Sequence, residues 1–150
     1  MAEHDLKRLE RVGMMRRQAD EMRLARTRRS LGEAMMLRES AEERSEAEAR
    51  MERALIRQCY EKPGSEQAWI ARAHQAQLAN KSEQEAEARR AEESELAARK
   101  AAEAKAILRD DARLGAVRSW LTQARIAAVR SEEEAAAEER QDSQCGQTKP

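Results

Sequence analysis

Tyr60-Glu61-Lys62-Pro63-Gly64-Ser65-Glu66-Gln67 is the only stretch of this sequence in which several helix-breaking residues fall together. Pro63 pushes Lys62 away from helical geometry. Gly64 is free to take the left-handed backbone of a chain reversal. Ser65 is a good N-cap for a following helix, and Glu66 sits favourably in its first turn. Pro63 is also the one proline between residues 2 and 140. The expectation is a long helix on each side of a tight turn: helix 1 over 4–60, the turn over 61–65 and helix 2 over 66–140. The polar segment 142–150 is expected to be a disordered tail. So short a connection favours an antiparallel arrangement, which makes the expected fold all-α, a long two-helix coiled-coil hairpin. At 1.5 Å per residue helix 1 would extend on the order of 85 Å. Helix 2 is longer, so its last turns should project beyond the start of helix 1.

Composition agrees with the turn. Charged residues make up 39% of the chain, aromatics 2%, and there is no Phe. Alanine is the largest apolar contributor. Few aromatics with much Ala, Glu, Arg and Leu is the signature of long helices rather than of a globule with a bulky core. Charge this dense also resists collapse, so disorder is the competing reading. The scarcity of proline and the helix-forming strength of Ala, Glu and Arg weigh against it.

Net charge is zero, so no global field draws the chain to nucleic acid or to an anionic membrane. The charge is nonetheless uneven. Residues 7–29 hold nine Lys/Arg against three acids, and residues 131–142 hold six acids against one Arg. No run approaches the 18 apolar residues of a membrane span, so no membrane insertion is expected, and MAEHDLKRLERVG lacks the apolar centre of a secretory signal. Cys59 and Cys145 are too few for a disulfide framework, which makes a reducing cytoplasm the simplest compartment.

Apolar residues at coiled-coil spacing occur in patches. Val12, Met15, Ala19 and Met22 step by 3, 4 and 3, Leu114, Val117, Leu121, Ala124 and Ala128 by 3, 4, 3 and 4, and Ala97, Ala101, Ala104 and Leu108 by 4, 3 and 4. Phase breaks are expected around Leu24–Leu31 and near Leu37. Folding at Pro63-Gly64 pairs residues whose numbers add to about 127. That register sets Leu6 against Leu121, Leu9 against Val117 or Arg118, Met15 against Ala112, and Gly13 opposite Gly115. Trp120, beside Leu121, would help clamp the termini. Alanine seams bury little area, at ~25 cal/mol per Å2. The isolated hairpin is therefore expected to be marginal, with a thermal midpoint below ~90 °C.

Nothing in the sequence points to catalysis. His4, His74 and the two Cys show no metal-ligand spacing, and no phosphate loop or nucleophile elbow occurs. No cofactor or small-molecule substrate is expected. Arg23-Leu-Ala-Arg-Thr-Arg-Arg29 could contact phosphates, but without stacking aromatics it fits better a solvated face or a match for an acidic protein. The acidic stretch Glu132-Glu133-Glu134 to Glu139 is a docking surface or simply a solvated helix. Around the turn, Leu55, Ile56, Cys59 and Tyr60 lead in, and Trp69, Ile70, Ala73 and His74 lead out. Trp and Tyr are favoured in binding hot spots, so this tip is either a partner-binding cluster or a pin for the turn.

A chain near 150 residues, folded as one antiparallel coiled coil with a polar, Glu/Gln-rich C-terminus, resembles the FliJ/YscO-type stalk proteins of flagellar and type III secretion export. The most specific similarity is Gln67-Ala68-Trp69-Ile70-Ala71 after the turn, with Tyr60 ahead of it. The resemblance implies a cytoplasmic stalk, peripheral at the inner-membrane export apparatus, with two partners. The end carrying both termini would enter the hexameric export ATPase, its Lys7, Arg8, Arg11, Arg16 and Arg17 facing the pore. The tip residues would contact the cytoplasmic ring of the export gate. A cytoplasmic coiled-coil scaffold of another assembly is the alternative.

Overall fold

The computed structural model describes residues 3–146, and side chains through residue 143. It consists of two helices, α1 (Glu3–Glu61) and α2 (Glu66–Gly146), packed against each other in an all-α helical hairpin. Among the described residues there is no strand.

The helix ends follow local chemistry. Lys62 N still donates to Gln58 O at 2.9 Å, and Ser65 N donates to Lys62 O at 3.0 Å. This closes a turn with Pro63 and Gly64 at its centre. Gly64 does not use its left-handed freedom, since no described residue has positive φ. A turn of the type I pattern, favoured by Pro in its second place, reverses the chain with ordinary backbone. Ser65 caps α2 as expected, its Oγ accepting from Ala68 N at 3.3 Å. At the other end, the expected disordered tail is helical as far as Gly146. No proline interrupts this stretch, and Ser143 Oγ donates to the Glu139 carbonyl at 2.7 Å. Residues 147–150 of that tail lie outside the described residues.

The expected seam needs correcting. Along α1 the shielded side chains are Leu6, Glu10, Gly13, Arg17, Asp20 and Leu24, and the same alternation of 3 and 4 continues through Thr27, Leu31, Ala34, Arg38 and Ala41 to Cys59. Leu24 and Leu31 belong to it, so the expected phase break is absent. Val12, Met15, Ala19 and Met22 are exposed, on the opposite side of the helix. Along α2 the same spacing runs from Ser65 to Ala124, through Glu93, Leu96, Lys100, Glu103 and Ile107. Ala97, Ala101 and Leu108 face out. Leu114, Val117, Leu121 and Ala124 do lie on the seam, with Ala128 exposed beyond it; elsewhere apolar spacing misses a seam that contains Glu, Arg, Asp and Lys.

The chain divides into two compact units, Arg23–Ala104 (unit 2) and Met1–Met22 with Lys105–Pro150 (unit 1). In unit 2 the buried positions are mostly small: Ala34, Ala41, Cys59 and Ala86, with Leu24, Thr27 and Gln75. Alanines bury little area but leave room for polar side chains to cross. Arg38 Nε lies 2.5 Å from Glu93 Oε2, and Arg44 reaches Glu85 at 3.1 Å. Glu42 takes Arg38 at 3.0 Å and Arg90 at 2.7 Å. Gln75 Nε2 donates to the Glu48 carbonyl at 3.3 Å and also to its carboxylate.

In unit 1 leucines do the sealing. Leu6, Leu114 and Leu121 are each 4% exposed. Flanking them, Arg17 pairs with Asp111 at 2.9 Å, Arg118 with Glu10 at 2.8 Å and Arg125 with Glu3 at 3.5 Å. These pairs keep the register expected from the turn. Its outward consequences fail, because Leu9 and Met15 are exposed rather than set against α2. Gly13 faces Leu114 instead of Gly115: a Cβ on Gly13 would stand 2.6 Å from Leu114 Cδ2, whereas Gly115 has nothing within 4 Å. The glycine thus makes room for a leucine, and the two glycines do not meet. Beyond Arg125, α2 continues without α1 alongside it among the described residues. Its side chains from Ile126 to Ser143 are exposed, with Ala136 half-buried.

Candidate protein-binding faces

The eight residues expected to form the tip separate into two groups. Cys59 is buried, and Leu55 and Ile56 are half-buried; these seal the helices next to the turn. Tyr60, Trp69, Ile70, Ala73 and His74 are exposed, Tyr60 at 80%. Trp69 also holds the turn. Its Nε1 donates to Pro63 O at 3.2 Å, and the Arg72 guanidinium stands 5.5 Å from the centre of its ring. The indole is still 41% exposed, so it pins the turn and offers a face together.

A second face lies on the outward side of α1 in unit 1. Met15 and Met22 are 64% and 55% exposed, with Val12 before them and Ala19 between them on the same stripe. Beside the stripe is an open groove of about 720 Å3 lined by Arg11, Met14, Met15 and Gln18, with Leu114 at its floor. Methionine is the side chain that adapts best to varied apolar partners. The five cations expected on this segment differ in their ties. Lys7 pairs with Glu3 at 2.8 Å, and Arg17 with Glu21 as well as Asp111. Arg8, Arg11 and Arg16 are exposed and make no ion pair among the described residues. Arg17 is therefore a seam residue, and the other three are available to a partner. Trp120 is half exposed and does not share the burial of Leu121. The clamp of this unit is Leu6 with Leu121, which the register of the Gly13–Leu114 contact brings to one level.

The basic run 23–29 straddles the seam. Leu24 and Thr27 are buried within it, and Arg26, Arg28 and Arg29 point to solvent. Among the described residues three groups titrate away from their ordinary values. A hydrogen bond from Lys7, supported by Arg125, holds the Glu3 carboxyl low. A hydrogen bond from Arg90, supported by Arg38, does the same for Glu42, and Glu42 in turn raises Arg90. All three lie on solvated helix flanks, where such pairs contribute register more than stability.

Among the described residues no group of His, Cys, Asp and Glu could hold a metal ion. No helix is long and apolar enough to cross a membrane. What the molecule presents is helix surface with exposed Met, Val, Tyr, Trp and Ile beside arginines. Sequence reasoning named the tip and the arginines, and it named the Val12–Met22 stripe for the wrong role. Comparison with protein-family models, with curated proteins and with solved structures finds no match.

Proposed function

We propose that this chain is a coiled-coil adaptor that acts by binding other proteins along its helix faces. We take its partners to be those of a FliJ/YscO-type stalk: a hexameric export ATPase on unit 1 and the cytoplasmic ring of an export gate on the turn. The observation that carries the reading is the pairing of an exposed apolar stripe, Val12 to Met22, with the unpaired Arg8, Arg11 and Arg16. A helix that has already buried one seam and still presents a second stripe at coiled-coil spacing is suited to a further helical partner. The exposed Tyr60, Trp69 and Ile70 support a separate contact at the turn. The reading gives the chain no catalytic role, no cofactor and no small-molecule substrate, and it places the chain in the cytoplasm, peripheral to a membrane apparatus.

The test is a titration of the purified chain into a hexameric export ATPase, following ATP hydrolysis and ring assembly. Stimulation should be lost when Arg8, Arg11 and Arg16 are all changed to Ala, and kept in Trp69→Ala. Arg17 is left intact, because its pair with Asp111 belongs to the seam. Absence of both binding and stimulation across a range of salt would refute the stalk reading and leave a coiled-coil scaffold of another assembly.

A further inference from the structure

The two flanks of the unit 1 seam are not alike. One flank holds the cross-helix ion pairs Arg17–Asp111, Arg118–Glu10 and Arg125–Glu3. The heptad through Leu6, Glu10, Gly13 and Arg17 puts Leu9 and Arg16 on the other flank of α1, and Arg113 and Trp120 on the matching flank of α2. Gly13 beside Leu114 fixes the level of the two helices, so Leu9 and Trp120 stand within one helical turn of each other along the axis. They are 45% and 51% exposed, and Val12 and Ala116 are exposed next to them. Charge is sorted between the flanks as well. On this second side Arg8, Arg16, Lys105, Arg109 and Arg130 make no ion pair among the described residues. Arg113 holds only Asp110 of its own helix, at 3.4 Å. Asp5 is the one acid on this side among residues 3–22 and 105–130. Glu3, Glu10, Asp20, Asp110 and Asp111 are half-buried in or beside the seam, and Glu21 is tied to Arg17.

We propose that this second flank is the docking groove for a short acidic amphipathic helix of another protein. Its apolar face packs on Leu9, Val12 and Trp120, and its carboxylates pair with Arg16, Arg109 and Arg113. Trp and Arg are the residues most enriched where binding energy concentrates. Two helices side by side leave between their flanking positions a groove that a third helix can enter. The next part of the chain decides against other polyanions. A membrane surface or a nucleic-acid duplex is extended, and it would also meet the end of α2, where Glu132, Glu133, Glu134, Glu138 and Glu139 continue in line beyond Arg125. A short helix lying between the levels of Leu9 and Ala19 avoids that repulsion. Arg125 is level with Glu3, so Glu132 is about 20 Å along the axis from Leu9, beyond the ~10 Å reach of charge at 0.1 M salt. The proposal rests on the reading of the chain as a protein-binding coiled coil and not on the export partners. It adds the α2 half of the face, Arg109, Arg113 and Trp120, to the side chains of α1.

The experiment is binding of a labelled synthetic peptide to the full chain, read by anisotropy. The peptide has two heptads with Leu at a and d and Glu at the flanking positions, and a second version carries Lys in place of Glu. The Glu peptide should bind at low salt, weaken as salt rises, and shift the emission of Trp120 to the blue in a Trp69→Phe background. The Lys peptide should do none of these. Trp120→Ala, and Arg16→Glu together with Arg109→Glu, should each weaken binding at least tenfold at unchanged helicity, because all three side chains are exposed. Met14→Ser, exposed on the ion-paired flank, should leave binding as it is. A Glu peptide that does not bind at low salt would overturn the proposal, and so would equal losses from Met14→Ser and Trp120→Ala. Vesicles of phosphatidylglycerol and phosphatidylcholine, or duplex DNA, that bind more tightly than the peptide and are lost with the same variants would also overturn it, assigning the flank to lipid or nucleic acid. The ATPase titration is a separate readout. Peptide failure with intact stimulation strikes this proposal alone, and failure of both strikes the adaptor reading too.

Discussion

Units 1 and 2 are made from the same two helices with the same 3-4 spacing, yet they close the seam with different side chains. Unit 2 buries Ala34, Ala41, Cys59 and Ala86 and carries cross-helix polar contacts at Arg38–Glu93, Arg44–Glu85, Arg90–Glu42 and Gln75–Glu48. Unit 1 buries Leu6, Leu114 and Leu121, opens a glycine to admit one of them, and sets its ion pairs beside the leucines. Small residues bring helices close and let long charged side chains bridge them. Leucines give more apolar burial per position but demand space. Each unit keeps the same 3-4 spacing, so that spacing is compatible with apolar burial and with polar cross-helix pairs alike.

The contrast can be broken most forcefully in unit 1. Leu114→Ala or Leu121→Ala should cost about 2–3 kcal/mol in urea unfolding, because each removes a nearly buried leucine from a seam with few others. A loss under ~0.5 kcal/mol, the range of ordinary surface changes, would remove the special standing of these leucines. Unit 2 should show the reverse sensitivity. Ala86→Leu should cost about 1–3 kcal/mol by overpacking, whereas a stabilised variant would mean that the alanine seam has spare room. The glycines sharpen the comparison further. Gly115→Ala meets nothing within 4 Å and should gain about 1 kcal/mol from helix propensity. Gly13→Ala must displace Leu114 and should gain less or lose, and equal gains at both positions would contradict the close contact.

The smallest effect concerns pH. Glu42 is held below its ordinary 4.5, first by its hydrogen bond from Arg90. A carboxyl lowered in the folded state contributes stability that is full above its unfolded value and disappears as pH falls through its folded value. Glu42→Gln should therefore lower the urea midpoint at neutral pH, and its curve should meet that of the wild type in acid. A difference that persisted below the folded value would assign the loss to packing instead.

Much of this was legible in the sequence, for identifiable reasons. Pro63, Ser65 and Glu66 announced the turn, because no other stretch brings several helix-breaking residues together. The register followed from that turn alone. Apolar periodicity showed the seam only at Leu114, Val117, Leu121 and Ala124; elsewhere Glu10, Arg17, Asp20, Arg38, Glu93 and Lys100 occupy its positions. Val12, Met15, Ala19 and Met22 carry the stronger apolar signal and face away. A pattern of hydrophobic spacing reports that a face wants a partner, and it does not say whether the partner is in the same chain. Trp69 illustrates the same limit at the tip, where one indole serves the turn through Pro63 O and is still open to solvent.

The central claim is that α1 meets α2 through the polar heptad face that contains Leu6 and Gly13, and not through the Val12–Met22 stripe. Intrachain disulfide formation tests it, in a background with Cys59→Ala and Cys145→Ser. Rapid closure within one chain is expected for Leu6→Cys with Leu121→Cys, and none for Met15→Cys with Ala112→Cys. Closure of the second pair in place of the first would place the stripe inside the hairpin and contradict the account.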